Sequence, residues 1–255
     1  MPHPSPSAVF AAIFATASAA ALLLVGTITL AEAAPACSTR SAATIAPVVE
    51  LYTSEGCNSC PPADRWLSGL KVEPDVVALA FHVDYWDSLG WKDRYASPAY
   101  TERQAAQQRS SGARFNYTPQ VLVDGRDRRD WPAVSGASLE RPPANVELTL
   151  MRDGDRFDAS VTAKAAMRLA AYWAVTEDRH ESAVKAGENA GVTLHHDHVV
   201  RDYLPVPMWT AAADVPTSLQ FTPKPARDPA HPRSVNLVVV DAATGRPVQA
   251  VRLGC

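Results

Sequence analysis

The sequence predicts an α/β domain followed by a mainly antiparallel β domain, both placed after an apolar leader. Apolar strand patterns and helical patterns alternate over residues 44–140, as in an α/β layer structure. Short strand patterns separated by Gly and Pro fill residues 144–255, which is typical of a small antiparallel sandwich. Between them, the segment LERPPANVE (139–147) contains two adjacent prolines and marks the predicted domain boundary.

Residues 1–36 have the composition of a signal peptide. They form an alanine-rich apolar stretch whose first charged side chain is Glu32, and small residues before Ala33 and Ala36 fit cleavage near either position. The apolar run is longer than a usual signal core, and no Lys or Arg precedes it, so an uncleaved membrane anchor is an alternative. Lipid attachment at Cys37 is a weaker alternative. Export would place the protein in the periplasm or outside the cell, where disulfides persist.

The overall composition is that of a globular protein. The chain has 255 residues, of which 47% are hydrophobic, and its formal net charge is −3. This length accommodates two modest domains. The mildly acidic balance provides no basic surface for phosphate backbones, which argues against nucleic-acid binding.

Hydrophobic periodicity and turn residues predict the elements of both domains. In ADRWLSGLK the apolar residues lie at helical spacing directly after the cysteine motif, and Ser-Pro predicts the start of a second helix. The Asp-Gly pair within YTPQVLVDGRD predicts a hairpin turn. The first domain is predicted to contain strands at 46–53, 75–86 and 117–127, and helices at 63–71, 97–109 and 131–139. The second is predicted to contain strands at 146–151, 156–163, 168–177, 192–200, 234–241 and 248–253.

The motif GCNSC places Cys57 and Cys60 two residues apart, between a predicted strand and a predicted helix. This spacing brings the α-carbons close enough for a disulfide, and a helix N-terminus stabilises a thiolate. A zinc site would need four ligands, yet the sequence has no second CxxC or CxxH pair. An inert disulfide across two residues would stabilise the fold little. We therefore predict a redox couple with Cys57 attacking and Cys60 resolving, without metal or cofactor.

The strand, the CxxC motif, the helix and a later YTP before a strand resemble a thioredoxin fold. This resemblance implies that Pro119, preceded by Thr118, is cis and faces the dithiol. The segments ELYTSEGCNSCPPAD, FHVDYWDSLGWKD, YTPQVLVDG and GENAGVTLHHDHVVR are more specifically similar to the exported family catalogued as domain of unknown function 1223. That similarity implies fold and site but no substrate. Gly56 stands where thioredoxins have a tryptophan, and Leu51 stands where they have a buried acid. The resemblance therefore does not imply that this site reduces disulfides.

Several polar residues are candidates for roles beside the dithiol. His82 and Asp84 lie two apart near the carboxyl end of the second strand, where sites gather in α/β sheets, and could handle its protons. A solvated strand end without a role is an equal alternative. His195, His196 and His198 suggest a metal site, but only His196 and His198 share a strand face, and we predict surface positions for all three instead. GENAG (187–191) predicts a turn that needs glycine, and the family resemblance allows it to lean over the dithiol.

Cys37 and Cys255 lie at opposite ends of the mature chain. Domain termini often approach each other, and two leftover cysteines in an exported protein predict a bond between them. We therefore predict a structural disulfide.

The sequence favours an exported thiol–disulfide oxidoreductase whose partners are thiols or disulfides of other exported proteins. The N-terminal segment could in addition anchor it to a membrane. One alternative is a soft-metal module in which Cys57, Cys60 and His82 hold copper(I). Another is a non-catalytic binding scaffold, since a fold does not determine a function.

Overall fold

The structure is a computed structural model that describes residues 1–3 and 37–255. Of the described residues, 37–255 belong to one compact unit. The predicted cleavage sites and anchor lie outside the described residues. In the described part of the chain, no helix is both long and apolar enough to cross a membrane.

The described residues form two α-helices and fourteen β-strands. The helices are α1 (Pro61–Gly69) and α2 (Pro98–Ser111). The strands are β1 (Ser38–Arg40), β2 (Val48–Thr53), β3 (Val77–His82), β4 (Gln120–Val123), β5 (Arg126–Asp127), β6 (Val146–Asp153), β7 (Arg156–Ala163), β8 (Met167–Glu177), β9 (His180–Ala183), β10 (Thr193–His196), β11 (Val199–Ala211), β12 (Thr217–Phe221), β13 (Arg233–Asp241) and β14 (Pro247–Leu253).

These strands form three sheets. The largest has eight strands in the order β14-β13-β8-β11-β3-β2-β4-β5. Within it β2 and β11 run parallel to β3, and all other neighbours are antiparallel. A four-stranded antiparallel sheet has the order β1-β6-β7-β12, and β9 pairs with β10 in a hairpin.

The prediction of an α/β thioredoxin-like domain followed by a sandwich-like domain is wrong. Strand β11, from the second predicted domain, pairs with β3 of the first, with Val199 opposite Ala80. Strands from both halves therefore form one mixed, mostly antiparallel sheet. The physical reason is that β3 would otherwise expose an unpaired edge, which β11 covers. The domain boundaries at residues 44, 140 and 144 stay predictions, since a shared sheet does not say how either part folds alone.

The eight-stranded sheet is covered on both faces. On one face, Leu67 of α1 packs in a cluster with Leu51 of β2. On the other, Tyr100 of α2 packs with Tyr52 and Phe81. Farther along the sheet, a third cluster joins the four-stranded sheet to β8, β13 and β14. Strand β2 is consequently buried along its whole length, as expected for a central strand with parallel pairing.

Turn chemistry explains which local predictions were confirmed. Helix α2 begins at Pro98 after the extended Ser97 and ends before Gly112, whose φ is +85°. The Asp124-Gly125 pair makes the β4–β5 hairpin with positive φ at both residues.

The helix predicted at 131–139 is wrong, because the chain becomes extended at Val134 and forms only two short 3₁₀ turns there.

The strand predictions in the second half correspond to observed strands, with one merger. The predicted strand at 192–200 is in fact β10 and the start of β11, separated by a turn at His198, whose φ is +56°. Strands β1, β9 and β12 had no predicted counterpart. Each is short or strongly polar, so its apolar alternation is weak.

Candidate functional site

Cys57 and Cys60 are joined by a disulfide at the start of α1. Their α-carbons are 5.5 Å apart, within the usual range for such a bond. The Cys57 N–H donates to the Ser54 carbonyl at 3.2 Å, and the Cys60 N–H donates to the Cys57 carbonyl at 3.2 Å. These successive turns hold both sulfurs at the point where β2 has ended and α1 begins.

Both cysteines are buried, while the two residues between them are exposed. Cys57 and Cys60 each have 0% exposed surface, whereas Asn58 and Ser59 face solvent. Neither cysteine is therefore accessible to solvent in this oxidised state. Exchange at Cys57 requires a neighbouring segment to move aside.

The loop between β9 and β10, which contains GENAG, is hydrogen-bonded to the CxxC loop. The Asn189 side-chain amide donates to the carbonyl oxygens of Glu55, at 2.8 Å, and of Cys57, at 3.0 Å. The Glu188 carboxylate accepts a hydrogen bond from the Asn58 N–H at 3.0 Å. We call residues 187–191 the latch loop. Three hydrogen bonds hold it onto the CxxC loop.

Proline residues shape the electrostatics at the start of α1. Pro61 and Pro62 have no N–H to offer a thiolate, and the N–H groups of Ala63 and Asp64 both donate to the Cys60 carbonyl. The helix therefore acts on the sulfurs through its dipole and not through free N–H donors.

Asp64 is a buried acid in the first turn of α1, and sequence reasoning missed it. Its side chain accepts a hydrogen bond from the Thr53 hydroxyl at 3.2 Å. Burial raises the pKa of Asp64 from its ordinary value, and the nearby His196 and His82 only partly oppose this. An acid at this helical position is usually explained by the helix dipole, which is why the pattern gave no signal. The structure makes it a carboxyl group suited to holding a proton.

His82 and Asp93 form a buried charged pair. His82 Nδ1 lies 2.7 Å from Asp93 Oδ2, and Asp93 also accepts hydrogen bonds from the N–H groups of Glu55 and Tyr95. Burial alone would raise the pKa of Asp93, but His82 and these N–H groups lower it to about 2. Burial would lower the pKa of His82, but the Asp93 carboxylate outweighs it and raises that pKa above its ordinary value.

His196 and Glu55 extend this buried group. The rings of His82 and His196 are 5.0 Å apart, and His196 Nε2 lies 3.6 Å from Glu55 Oε1. Desolvation would raise the pKa of Glu55, but interactions with His196 and the Trp91 indole N–H help to lower it. The predicted surface position is wrong for His196, and also for His198, because each is only 2% exposed.

We call the five side chains Glu55, Asp64, His82, Asp93 and His196 the buried ionisable cluster. Among the described residues, His82 Nε2, both ring nitrogens of His196 and Glu55 Oε1 have no hydrogen-bond partner. Buried polar atoms are normally paired, so such a concentration of unpaired ones is unusual. Glu55 and Asp64 lie on either side of the CxxC motif in sequence, two residues before Cys57 and four after Cys60.

The structure separates His82 from its predicted companion Asp84. The Asp84 carboxylate instead accepts a hydrogen bond from the Thr101 hydroxyl of α2 at 2.6 Å. Strand β3 ends at His82, so the strand alternation that was expected to put both on one face no longer applies. The Asp84 side chain therefore contacts helix α2.

The Thr118–Pro119 peptide is cis, and Trp86 connects it to the CxxC loop. The Trp86 indole N–H donates to the Thr118 hydroxyl at 2.8 Å. At Gly56, a β-carbon would lie 3.1 Å from that of Trp86. Glycine before Cys57 therefore lets this tryptophan approach. The roles of Thr118 and Pro119 toward a substrate stay predictions.

A second disulfide joins Cys37 to Cys255, whose α-carbons are 6.2 Å apart. Arg152 contacts both ends of this bridge, since its N–H donates to the Cys37 carbonyl and its guanidinium donates to the Cys255 carbonyl. The presence of two disulfides is consistent with an exported protein.

The described residues contain no group of three or more His, Cys, Asp or Glu side chains arranged to hold a metal ion. The copper alternative required Cys57, Cys60 and His82 to converge as ligands. In the structure the two sulfurs are bonded to each other, and His82 Nδ1 is occupied by Asp93. This arrangement gives the copper alternative no support.

The sequence profile of a family described as proteins of unknown function, DUF1223, matches residues 48–240. The chain belongs to this family. A crystal structure of a protein from Agrobacterium tumefaciens is 30% identical, with a TM-score of 0.60 over 82% of this chain and 94% of that one. HBP35 of Porphyromonas gingivalis is 17% identical, with a TM-score of 0.55 over 83% of this chain and 76% of that one, a similarity of fold alone. No curated protein matches the chain.

Proposed function

We propose that this protein is an exported thiol–disulfide oxidoreductase that acts through Cys57 and Cys60, in the periplasm or outside the cell. The observation that carries the proposal is the pairing of a two-residue disulfide at a helix start with the buried ionisable cluster. A disulfide this short contributes little to stability, so its retention needs another explanation. The unpaired ionisable groups of the cluster supply this explanation, because thiol–disulfide exchange requires proton transfer.

The exchange proceeds in two balanced steps. A substrate thiolate attacks Cys57 Sγ, a substrate–Cys57 disulfide forms, and the Cys57–Cys60 bond breaks to release Cys60 as a thiolate. A second substrate thiolate then attacks the substrate sulfur of the mixed disulfide and releases Cys57. The substrate gains one disulfide, the protein gains one dithiol, and two protons pass from substrate thiols to Cys57 and Cys60. The reverse sequence reduces a substrate disulfide.

Asp64 is the best-supported proton carrier for Cys60. It lies on the first turn of the helix that Cys60 caps, and burial raises its pKa. A carboxyl group that is readily protonated can give a proton to the departing thiolate and later take it back. Its Thr53 hydrogen bond fixes its orientation.

The surroundings of Pro119 support a polypeptide substrate. Pro119 lines a cavity of about 280 Å³ together with the aromatic side chains of Phe115, Tyr117 and Trp131. Aromatic surfaces of this kind contribute large contact areas in protein recognition. Phe115 is 56% exposed and thus free to contact a partner. This surface is suited to binding exported proteins whose thiols or disulfides react with Cys57.

The proposal is tested by trapping mixed disulfides in cells. With Cys60→Ser, a Cys57 thiolate that has attacked a substrate disulfide should remain covalently bound to the exported protein, because in this reducing direction Cys60 is the thiol that resolves the mixed disulfide. With Cys57→Ser as the matched control, no such adducts should accumulate. Non-reducing gels and mass spectrometry of the purified protein read out both. If neither variant traps a partner, or both trap the same set, the proposal is wrong.

A further inference from the structure

A polar cavity of about 250 Å³ lies beside the N-terminus of α2. Five cationic side chains line it, namely Arg94, Arg201, Lys224, Arg227 and Arg233, against the two carboxylates of Glu177 and Asp202. Neither Cys57 nor Cys60 lines it, so a role of this cavity is independent of the proposed oxidoreductase function. The cavity has a clear excess of positive charge.

The two carboxylates form ion pairs with only three of the five cations. Glu177 lies 3.3 Å from Arg201 and 3.7 Å from Arg233, so one carboxylate is shared between two guanidinium groups. Asp202 lies 3.4 Å from Lys224. Asp202 also accepts the Lys224 N–H, which fixes the adjacent loop.

The remaining two cations have no carboxylate partner among the described residues. Arg94 donates instead to the Tyr95 hydroxyl and to the Glu181 carbonyl. Arg227 lies in the exposed proline-rich loop between β12 and β13. In addition, Arg233 Nε, which lies 3.7 Å from Glu177, makes no hydrogen bond in the described part of the chain. Donor capacity is therefore left over at this cavity.

The start of α2 adds to the positive potential. Ser97 and Ala99 line the cavity, and the Ser97 side chain makes no capping hydrogen bond. A 14-residue helix carries a partial positive charge at this end and favours anions there. The helix N-terminus and the guanidinium groups therefore both favour an anionic ligand.

A neighbouring histidine lies close to the same cations and also contacts Glu177, whose Oε2 is 3.2 Å from its Nε2. His180 lines a second cavity, of about 240 Å³, which shares Arg94, Arg201 and Arg227 with the first. Burial, together with His231, Arg201 and Arg94, lowers the pKa of His180 to about 3. Asp228 also lines this second cavity. It lies 3.8 Å from His231 and forms no ion pair within 4 Å with Arg94 or Arg227.

Aromatic rings form the rest of the wall. Tyr95, Tyr100 and Tyr203 line the first cavity. The guanidinium groups of Arg94 and Arg201 lie 4.8 Å and 5.0 Å from the centre of the Tyr95 ring, which orients both. A ligand here would meet both charged donors and aromatic rings.

We propose that this cavity binds the carboxylate or phosphate group of a small organic ligand. Planar guanidinium groups recognise both oxyanions through paired hydrogen bonds. The uncompensated Arg94 and Arg227 provide the charge, and the rings accommodate the organic part. The cavity volume admits a small molecule rather than a polymer.

The test measures binding of two simple probes, inorganic phosphate and succinate, to the full-length protein by calorimetry at low ionic strength. At least one should bind saturably. The double variant Arg94→Gln, Arg227→Gln should weaken binding about tenfold or more, the loss expected for charged hydrogen bonds. Arg126→Gln is the matched control, because Arg126 is exposed and lines neither cavity. The control should bind like the wild type.

Each result decides the proposal. Binding of phosphate alone, succinate alone or both supports it and identifies the recognised group. If neither probe binds saturably, or if Arg126→Gln weakens binding as much as the double variant, the proposal is overturned. Because Arg94 also contacts Tyr95, the single variant Arg227→Gln in the exposed loop repeats the test without touching packed residues. A folded Arg227→Gln protein with unchanged affinity also overturns the proposal.

Discussion

His82 Nδ1 lies 2.7 Å from Asp93 Oδ2, and both side chains are completely buried. The same Asp93 oxygen accepts a hydrogen bond from the Glu55 N–H, two residues before Cys57. One carboxylate therefore ties the end of β3 to the loop that carries the disulfide. The His82–Asp93 pair therefore stabilises the fold and also helps to position the CxxC loop.

Replacing Asp93 by Asn should destabilise the protein strongly. The variant leaves His82 buried without its charged partner, and loss of one partner of a buried pair costs about 3–5 kcal/mol. The free energy of unfolding in urea at pH 7 measures this. Asp130→Asn is the control, because its Arg128 pair is exposed and contributes little to stability. Equal effects of the two variants would contradict the assignment.

Stability should fall on both sides of a pH range set by this pair. The pKa of Asp93 is lowered to about 2, so its contribution is present above the unfolded value of about 3.9 and is lost as pH falls through about 2. The pKa of His82 is raised, so its contribution is present below about 6.5 and is lost as pH rises through the folded value. Urea unfolding across pH, compared between wild type and His82→Gln, measures both slopes. An unchanged high-pH slope in the variant would disprove the second.

Asp64→Asn should make the protein more stable and slower in exchange. Burial raises the pKa of Asp64, so its ionised form is disfavoured in the folded state, and a neutral amide of the same shape removes that cost at neutral pH. The amide cannot supply a proton to Cys60, which slows reduction by dithiothreitol. Urea unfolding and stopped-flow reduction give the two readouts. Asp75→Asn, on the surface, is the control.

An Asp64→Asn protein that loses stability would show that the carboxylate is structural. One that gains stability but is reduced at the wild-type rate would remove Asp64 from the proton transfer. Only the combination of higher stability and slower exchange fits the proposed role, since functional groups are often kept at the expense of stability.

Local features of the fold could be predicted from the sequence because they depend on a few adjacent residues. Helix α2 between Ser97 and Gly112 and the hairpin at Asp124-Gly125 follow from backbone dihedral preferences of Pro, Gly and Asp. The position of the CxxC motif between β2 and α1 follows from the apolar run before it and the helical spacing after it.

The mixed sheet and the buried cluster could not be predicted, because both depend on partners far apart in the chain. Pairing of Val199 with Ala80 joins residues more than a hundred positions apart, and no local pattern encodes it. His196 has the polarity of a surface residue, and only contact with His82 and Glu55 explains its burial. Sequence patterns report average exposure, whereas burial of a charge depends on a specific partner.

Replacing both Cys37 and Cys255 by Ser should lower stability without altering exchange at Cys57. The bridge spans a sequence separation of 218 residues. In the chain-entropy model a loop of this size contributes on the order of 5 kcal/mol, so the loss should approach that value. Urea unfolding gives the stability, and the rate of dithiothreitol reduction of Cys57–Cys60 should stay at the wild-type value. A variant of unchanged stability would show that the bridge is not structural.

Weakening the latch loop should make the Cys57–Cys60 disulfide react faster. Asn189→Ala removes two hydrogen bonds to the CxxC loop, one of them to the Cys57 carbonyl. Each such bond is worth about 1 kcal/mol, so opening of the loop and reduction by dithiothreitol should accelerate roughly fivefold or more. Lys185→Ala, exposed on the same hairpin, is the control and should react like the wild type. Because Cys57 is fully buried, an unchanged rate in Asn189→Ala would mean that substrates reach the sulfur by a route other than the latch loop.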